Sequence, residues 1–115
     1  MSSVLDYMKS SLALVNHKNI ENHKDEFVIV HGKAQGVKNN TLTLLVSQTD
    51  NKTFLINNVT KNIPAEEFVM ITGKVESDNS LEFVDFIKLS KDFDLDFVNE
   101  LIDLLQEKTI ATFFD

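Results

Sequence analysis

The residues of this 115-residue chain whose types could carry chemistry are three histidines, a short run of alternating aspartates and a scatter of lysines. His17 and His23 lie in a polar stretch, at a spacing that suits neither a helix face nor a strand pair. His31 falls in a β-rich run without an obvious carboxylate neighbour. With no cysteine in the chain, three scattered histidines do not make a zinc-type ligand set, so no metal is expected. Asp92, Asp94 and Asp96 imitate the start of a calcium loop but lack its glycine and its terminal glutamate. Glu66 and Glu67 read as solvated surface at a strand entrance. Gly32, Gly36 and Gly73 are too few and too dispersed to cradle a phosphate. No nucleophile, acid–base pair or cofactor motif emerges, and the chain is expected not to be an enzyme.

Binding of unpaired bases needs aromatic side chains on an open sheet face with cations along a groove. Phe54, Lys33, Lys52 and Lys74 are the candidates for a weak contact of this kind. Against it stand a formal net charge of −7 and eleven cations that are all lysine. Arginine supplies the bidentate contacts that dominate phosphate and guanine recognition. An acidic chain without it is a poor stand-alone nucleic-acid binder. Six of the nine phenylalanines gather late in the chain, at Phe83, Phe86, Phe93, Phe97, Phe113 and Phe114, and strand phenylalanines more commonly fill cores. The heavy use of lysine and asparagine reads as compositional bias without chemical meaning.

The elements that must position these residues follow from periodicity. Between residues 26 and 90 five short runs favour strands: Phe27–Ala34, Thr41–Val46, Thr53–Ile56, Phe68–Val75 and Leu81–Leu89. Turn-like clusters at Gly36–Asn40, Thr49–Lys52, Asn57–Pro64 and Ser77–Ser80 separate them. Five short strands at this spacing predict an all-β-dominated fold, a small barrel or sandwich. One phrase occurs twice, as Phe27-Val-Ile-Val-His-Gly-Lys-Ala34 and Phe68-Val-Met-Ile-Thr-Gly-Lys-Val75. Each copy sets a glycine late in an apolar strand, where a bend or bulge would help close a barrel. Ahead of the strands, Val4, Leu5, Met8, Leu12 and Val15 keep helical spacing, while Leu12–Asn16 could equally be extended. Three segments result: 1–26, a partly helical or extended lead; 27–90, the barrel; and 91–115, a helix and tail. No apolar run is long enough to span a membrane, and the N-terminus lacks the pattern of a secretory signal, so an intracellular place is expected.

The terminal segment has the clearest pattern. At about 100° per residue, Leu95, Phe97, Val98, Leu101, Ile102, Leu104 and Leu105 fill one arc of a helix. Asp96, Asn99, Glu100, Asp103, Gln106 and Glu107 fill the other. Asp92 or Asp94 can cap its start, and acidic residues there suit the helix dipole. The apolar arc is roughly 180° wide, whereas a helix that only lids its own core needs about 100°. Part of this face is therefore expected to meet another chain. The tail is also the most acidic region: residues 91–115 hold two lysines against seven acidic residues, a net of −5.

Several phrases together resemble the small subunit of replication protein A. They are Val15-Asn16 ahead of the first strand, the strand Phe68–Val75 with Lys74 where that family commonly has arginine, and Phe93-Asp94-Leu95 followed by Asn99 in the helix. The absence of arginine and the leading Met1–Leu14 segment depart from the family pattern. The resemblance implies a five-stranded OB-fold barrel followed by a helix that joins one helix from each of two larger OB-fold subunits in a three-helix bundle. Carried over, it puts Val98, Leu101, Ile102 and Leu105 on the seam, with Phe97 and Leu104 on its flank. Phe93 and Leu95 then anchor the helix start on the barrel. It further implies a nuclear, structural role in replication, repair and recombination, with single-stranded DNA bound mainly through the complex. A telomere- or telomerase-dedicated version of such a complex is the alternative. An autonomous nucleic-acid or oligosaccharide module and a homo-oligomeric adaptor are rivals of other classes.

Overall fold

The structure is a computed structural model that describes residues 13–107, with side chains through Leu104. The segment holding Val4, Leu5, Met8 and Leu12 lies outside the described residues, as do Lys108, Phe113 and Phe114. The described elements are β1 (Ala13–Leu14), a 3₁₀ turn (Ile20–His23), β2 (Phe27–Lys38), β3 (Thr41–Ser47), β4 (Lys52–Asn57), β5 (Phe68–Ser77), β6 (Ser80–Lys88) and α1 (Leu95–Glu107).

The strands form one sheet in the order β1-β2-β3-β4-β6-β5, and a further pairing joins β5 back to β2. Strands β2 to β6 thus make a closed ring. Neighbours run antiparallel except β4 with β6. This is a five-stranded OB-fold barrel, to which β1 adds a short parallel strand along β2 at Val28 and Ile29. The all-β expectation with a terminal helix holds, and the choice between barrel and sandwich falls to the barrel.

Strict alternation explains how so short a chain fills it. Val28, Val30 and Ala34 on β2, Leu42 and Leu44 on β3, Phe54 and Ile56 on β4, Val69, Ile71 and Val75 on β5, and Leu81 and Phe83 on β6 point inward. Val15 and Ile20 join this cluster from the N-terminal loop, and Val59 and Ile63 from the β4–β5 connection. Apolar burial of this kind contributes roughly 1.5–3 kcal/mol per large side chain.

The repeated phrase turns out to be one ladder. Phe27 pairs with Lys74 and Lys33 with Phe68, so the two copies lie antiparallel against each other. The expected bend holds at one glycine and not at the other. Gly73 sits at the β5–β6 bulge, which pushes out Val84. Gly32 lies in unbroken pairing, and the nearest bulge is at Gln35. What Gly32 provides is close approach: a Cβ there would fall 2.5 Å from the Leu45 carbonyl oxygen and 2.7 Å from Leu44 Cγ.

Strand β2 also runs through Gly36, which the sequence pattern assigns to a turn. The turn itself is only Asn39-Asn40, both with positive φ (54° and 63°), as a tight primed hairpin requires. Asn51 and Asn58 likewise hold left-handed backbone, with φ of 51° and 59°. Asparagine tolerates this conformation better than most residues. Its abundance therefore has conformational meaning, contrary to the compositional reading.

Candidate functional site

The helix α1 starts where the sequence allows. Asp94 is the cap: its Oδ1 accepts the Phe97 N–H at 3.0 Å, and its carbonyl accepts the Val98 N–H at 3.1 Å. Just before it, Phe93 clamps the chain to the outside of the barrel. Its ring stacks on His31 with centroids 5.7 Å apart and an interplanar angle of 13°, and meets Phe68 at 5.8 Å. Burial holds the His31 pKa below its ordinary value. Leu95 is buried one residue into the helix.

The barrel side of the helix is held by a polar network around Asn16, itself buried. Asn16 Nδ2 donates to Asp103 Oδ1 at 2.8 Å and to the Asn99 carbonyl at 3.4 Å. Lys18 Nζ reaches Asp103 Oδ2 at 2.9 Å. Asn16 Oδ1 accepts the Lys18 N–H, and Asn19 Oδ1 accepts the Asn16 N–H. Asn99 Nδ2 donates to the Val46 carbonyl at 2.8 Å, where the β3–β4 ladder shifts register. Burial raises the pKa of Asp103, but the hydrogen bonds from Asn16 and Lys18 outweigh it and hold the carboxyl below its usual range. The sequence marked Asn16 and Asn99 only through resemblance; no local pattern shows that they meet.

These contacts fix the rotation of the helix, and with it which apolar residues remain outside. Ile102 is 2% exposed, covered together with Leu95 and outside the barrel's own core cluster. Val98 is half-buried. Phe97, Leu101 and Leu104 are 59%, 43% and 47% exposed. Spaced 97, 101, 104, they repeat as the seam of a coiled coil does. In the free chain the exposed strip differs from the expected seam at Ile102, Phe97 and Leu104. Ile102 faces the barrel, because it shares the turn-to-turn line of Leu95 and sits beside Asn99 and Asp103, which are tethered inward. Phe97 and Leu104, expected on the flank, join Leu101 in the outward strip. Leu105 side-chain placement lies outside the described residues.

The residues considered for a nucleic-acid contact are not gathered. Phe54 is 2% exposed in the barrel core and offers no ring face to a base. Its alternation with Ile56 puts it inside. Lys33 and Lys74 sit on the outer face at opposite ends of the β2–β5 ladder, about 20 Å apart by strand rise. Lys33 Nζ lies 3.5 Å from Glu66. Lys52 is exposed at the start of β4, in an open cleft of about 420 Å³ shared with His17, Asn51, Asp78 and Asn79. In OB-folds, oligonucleotides commonly lie across the second and third barrel strands, here β3 and β4. Beyond Lys52 at the very start of β4, their outer residues are Thr41, Thr43, Leu45, Thr53, Leu55 and Asn57, none aromatic or basic. The histidines stay apart: His17 pairs with Asp50 at 2.8 Å and His23 with Glu26 at 3.0 Å.

Comparison with known proteins agrees with this geometry. The sequence matches the family model "Replication factor A protein 3" over residues 8–111. No curated protein matches it. Among solved structures, the chain is similar to one in U. maydis replication protein A bound to single-stranded DNA. The TM-score is 0.73 at 22% identity, covering 84% of this chain and 91% of that one. It is also similar to the S. pombe telomere capping protein Ten1, with a TM-score of 0.69, 18% identity, and 84% and 99% coverage. The S. pombe Stn1–Ten1 complex gives a TM-score of 0.67 at 17% identity, covering 86% of this chain and 95% of that one. At such identities these structures speak for the fold, while the family model spans nearly the whole chain. The chain belongs to the replication factor A protein 3 family, as a replication-protein-A-like OB-fold subunit.

Proposed function

We propose that this chain is the structural, non-catalytic small subunit of a heterotrimeric single-stranded-DNA-binding complex of the replication protein A type, acting in nuclear DNA replication, repair and recombination. The observation that carries this is the outward strip of Phe97, Leu101 and Leu104 on a helix already docked to its own barrel. Leaving three large side chains this exposed on one helix face marks a surface meant for another protein. The reading divides the chain into a bracing barrel, residues 27–90, and an assembly element, residues 91–115. Two larger OB-fold subunits each supply one helix to a three-helix bundle on that strip. Single-stranded DNA is bound mainly by the complex, consistent with a β3–β4 face that has no exposed aromatic ring and, at its edge, only Lys52 as a cation.

A telomere-dedicated version of the complex is the second reading, favoured by the likeness to Ten1 at nearly the TM-score of the replication protein A chain. Purification of the tagged chain from its native cell, with partners identified by mass spectrometry, tests both. Two larger OB-fold proteins in equal amounts establish the trimer. Telomere-capping proteins or telomerase components among them establish the second reading. Recovery of the chain alone, or only with nucleic acid, refutes both and favours an autonomous module or self-association.

A further inference from the structure

The outward strip of α1 has two unlike borders. At about 100° per residue, Val98 lies to one side of Phe97 and Leu101, while Glu100 and Asp96 lie to the other. Val98 is half-buried; Asp96 and Glu100 are exposed, and neither makes an ion pair with a described residue. Asp103, next on that side, is already paired with Lys18. One edge of the strip is therefore an apolar continuation, and the other is an acidic row, Asp96 and Glu100, without an ion pair among the described residues.

In a helical bundle, charges bordering the apolar seam set partner choice and orientation, because like charges brought alongside destabilise and opposite charges attract. Burying the strip also removes water from beside the row, which strengthens either effect. The region around it carries a net of −5, from two lysines against seven acidic residues over 91–115. A second copy of this chain would bring the same acidic field against it. We infer that the helix covering the Asp96–Glu100 side belongs to a different protein and carries a row of lysine or arginine beside its own apolar seam, so that the acidic border both selects that partner and disfavours self-association. This rests on the proposed role of α1 as the assembly element and adds the chemistry of the partner to it.

The test uses the full chain and two synthetic helical peptides that share one leucine–isoleucine seam, one bordered by lysine and the other by glutamate. Binding is read by fluorescence anisotropy at low salt and at about 1 M salt, where the screening length is about 3 Å. A few exposed charge pairs translate into a preference of about tenfold for the lysine-bordered peptide at low salt. That preference should collapse at high salt, vanish in Asp96→Asn with Glu100→Gln, and invert in Asp96→Lys with Glu100→Lys. Equal binding of both peptides, tighter binding of the glutamate-bordered one, or binding of neither overturns the inference. So does a stable homodimer of the free chain in sedimentation. Leu101→Asp separates this failure from that of the underlying reading. If both peptides bind equally and both are lost in Leu101→Asp, the strip is the docking surface and only the charge selection is wrong. If peptide binding survives Leu101→Asp, the strip is not the docking surface.

Discussion

Truncating Ile102 should destabilise the isolated chain far more than truncating its neighbour Leu101, although both belong to the same apolar arc. Ile102→Ala removes three carbons from a side chain that is 2% exposed. At about 0.8 kcal/mol per buried methylene, the transfer loss alone is about 2.4 kcal/mol. The cavity left behind adds to this, although a terminal helix can settle, so the lower end of the usual 2–5 kcal/mol range applies. The better helix propensity of alanine returns a few tenths of a kcal/mol. A net loss of about 2–3 kcal/mol lowers the melting temperature of a domain near 100 residues by roughly 10 °C. Leu101 is 43% exposed in the free chain, so Leu101→Ala should cost less than about 1 kcal/mol. Thermal unfolding followed by circular dichroism measures both. Equal losses would mean that the helix is rotated relative to this account and that Leu101 is not free for a partner.

Asn16→Ala removes one hydrogen bond to a carboxylate and leaves the Lys18 N–H without its acceptor. It should cost about 2 kcal/mol and raise amide exchange along α1, measured by hydrogen–deuterium exchange. Asn16→Asp should be worse at neutral pH, because it faces a second carboxylate across the 2.8 Å contact to Asp103. The lowered pKa of Asp103 makes helix docking pH-dependent with a definite sign. Its contribution is complete above the unfolded value of about 3.9 and is lost as pH falls through the lower folded value. The stability advantage of the wild type over Asp103→Asn, from denaturant midpoints, should follow that course; a constant advantage would contradict it. Gly32→Ala would place a Cβ 2.5 Å from the Leu45 carbonyl, forcing the strands apart. A loss of about 1–3 kcal/mol is expected, while a neutral result would mean that β2 and β3 approach less closely than described.

How much of this was legible in the sequence differs from element to element. The five barrel strands stood out because inward and outward residues alternate, as in Thr41–Leu44, and a period of two has one meaning on a half-buried sheet. Their ends were less visible: β2 continues past Gly36, because a bulge can absorb a glycine that looks like a stop. β1 has two residues and no period to detect. The hidden partner of the repeated phrase was its own second copy, since local sequence carries no pairing information. On the helix, the width of the apolar arc signalled a second partner, but a wheel cannot say which part of the arc the barrel takes. That was decided by Asn16, Asn99 and Asp103, polar residues whose contacts span more than eighty positions for Asn16. Phe54 shows the reverse: its parity with Ile56 pointed inward, while the lysines near it in sequence suggested a surface role.

The central claim, that the outer strip of α1 holds this subunit in a larger assembly, is tested most directly by one paired variant. Leu101→Asp with Leu104→Asp in the tagged chain, purified from the native cell beside the wild type, should lose the larger subunits from the eluate. The isolated variant should keep a folded barrel by circular dichroism, because neither side chain belongs to the core cluster. Recovery of the same partners in the same amounts by this folded variant would contradict the account.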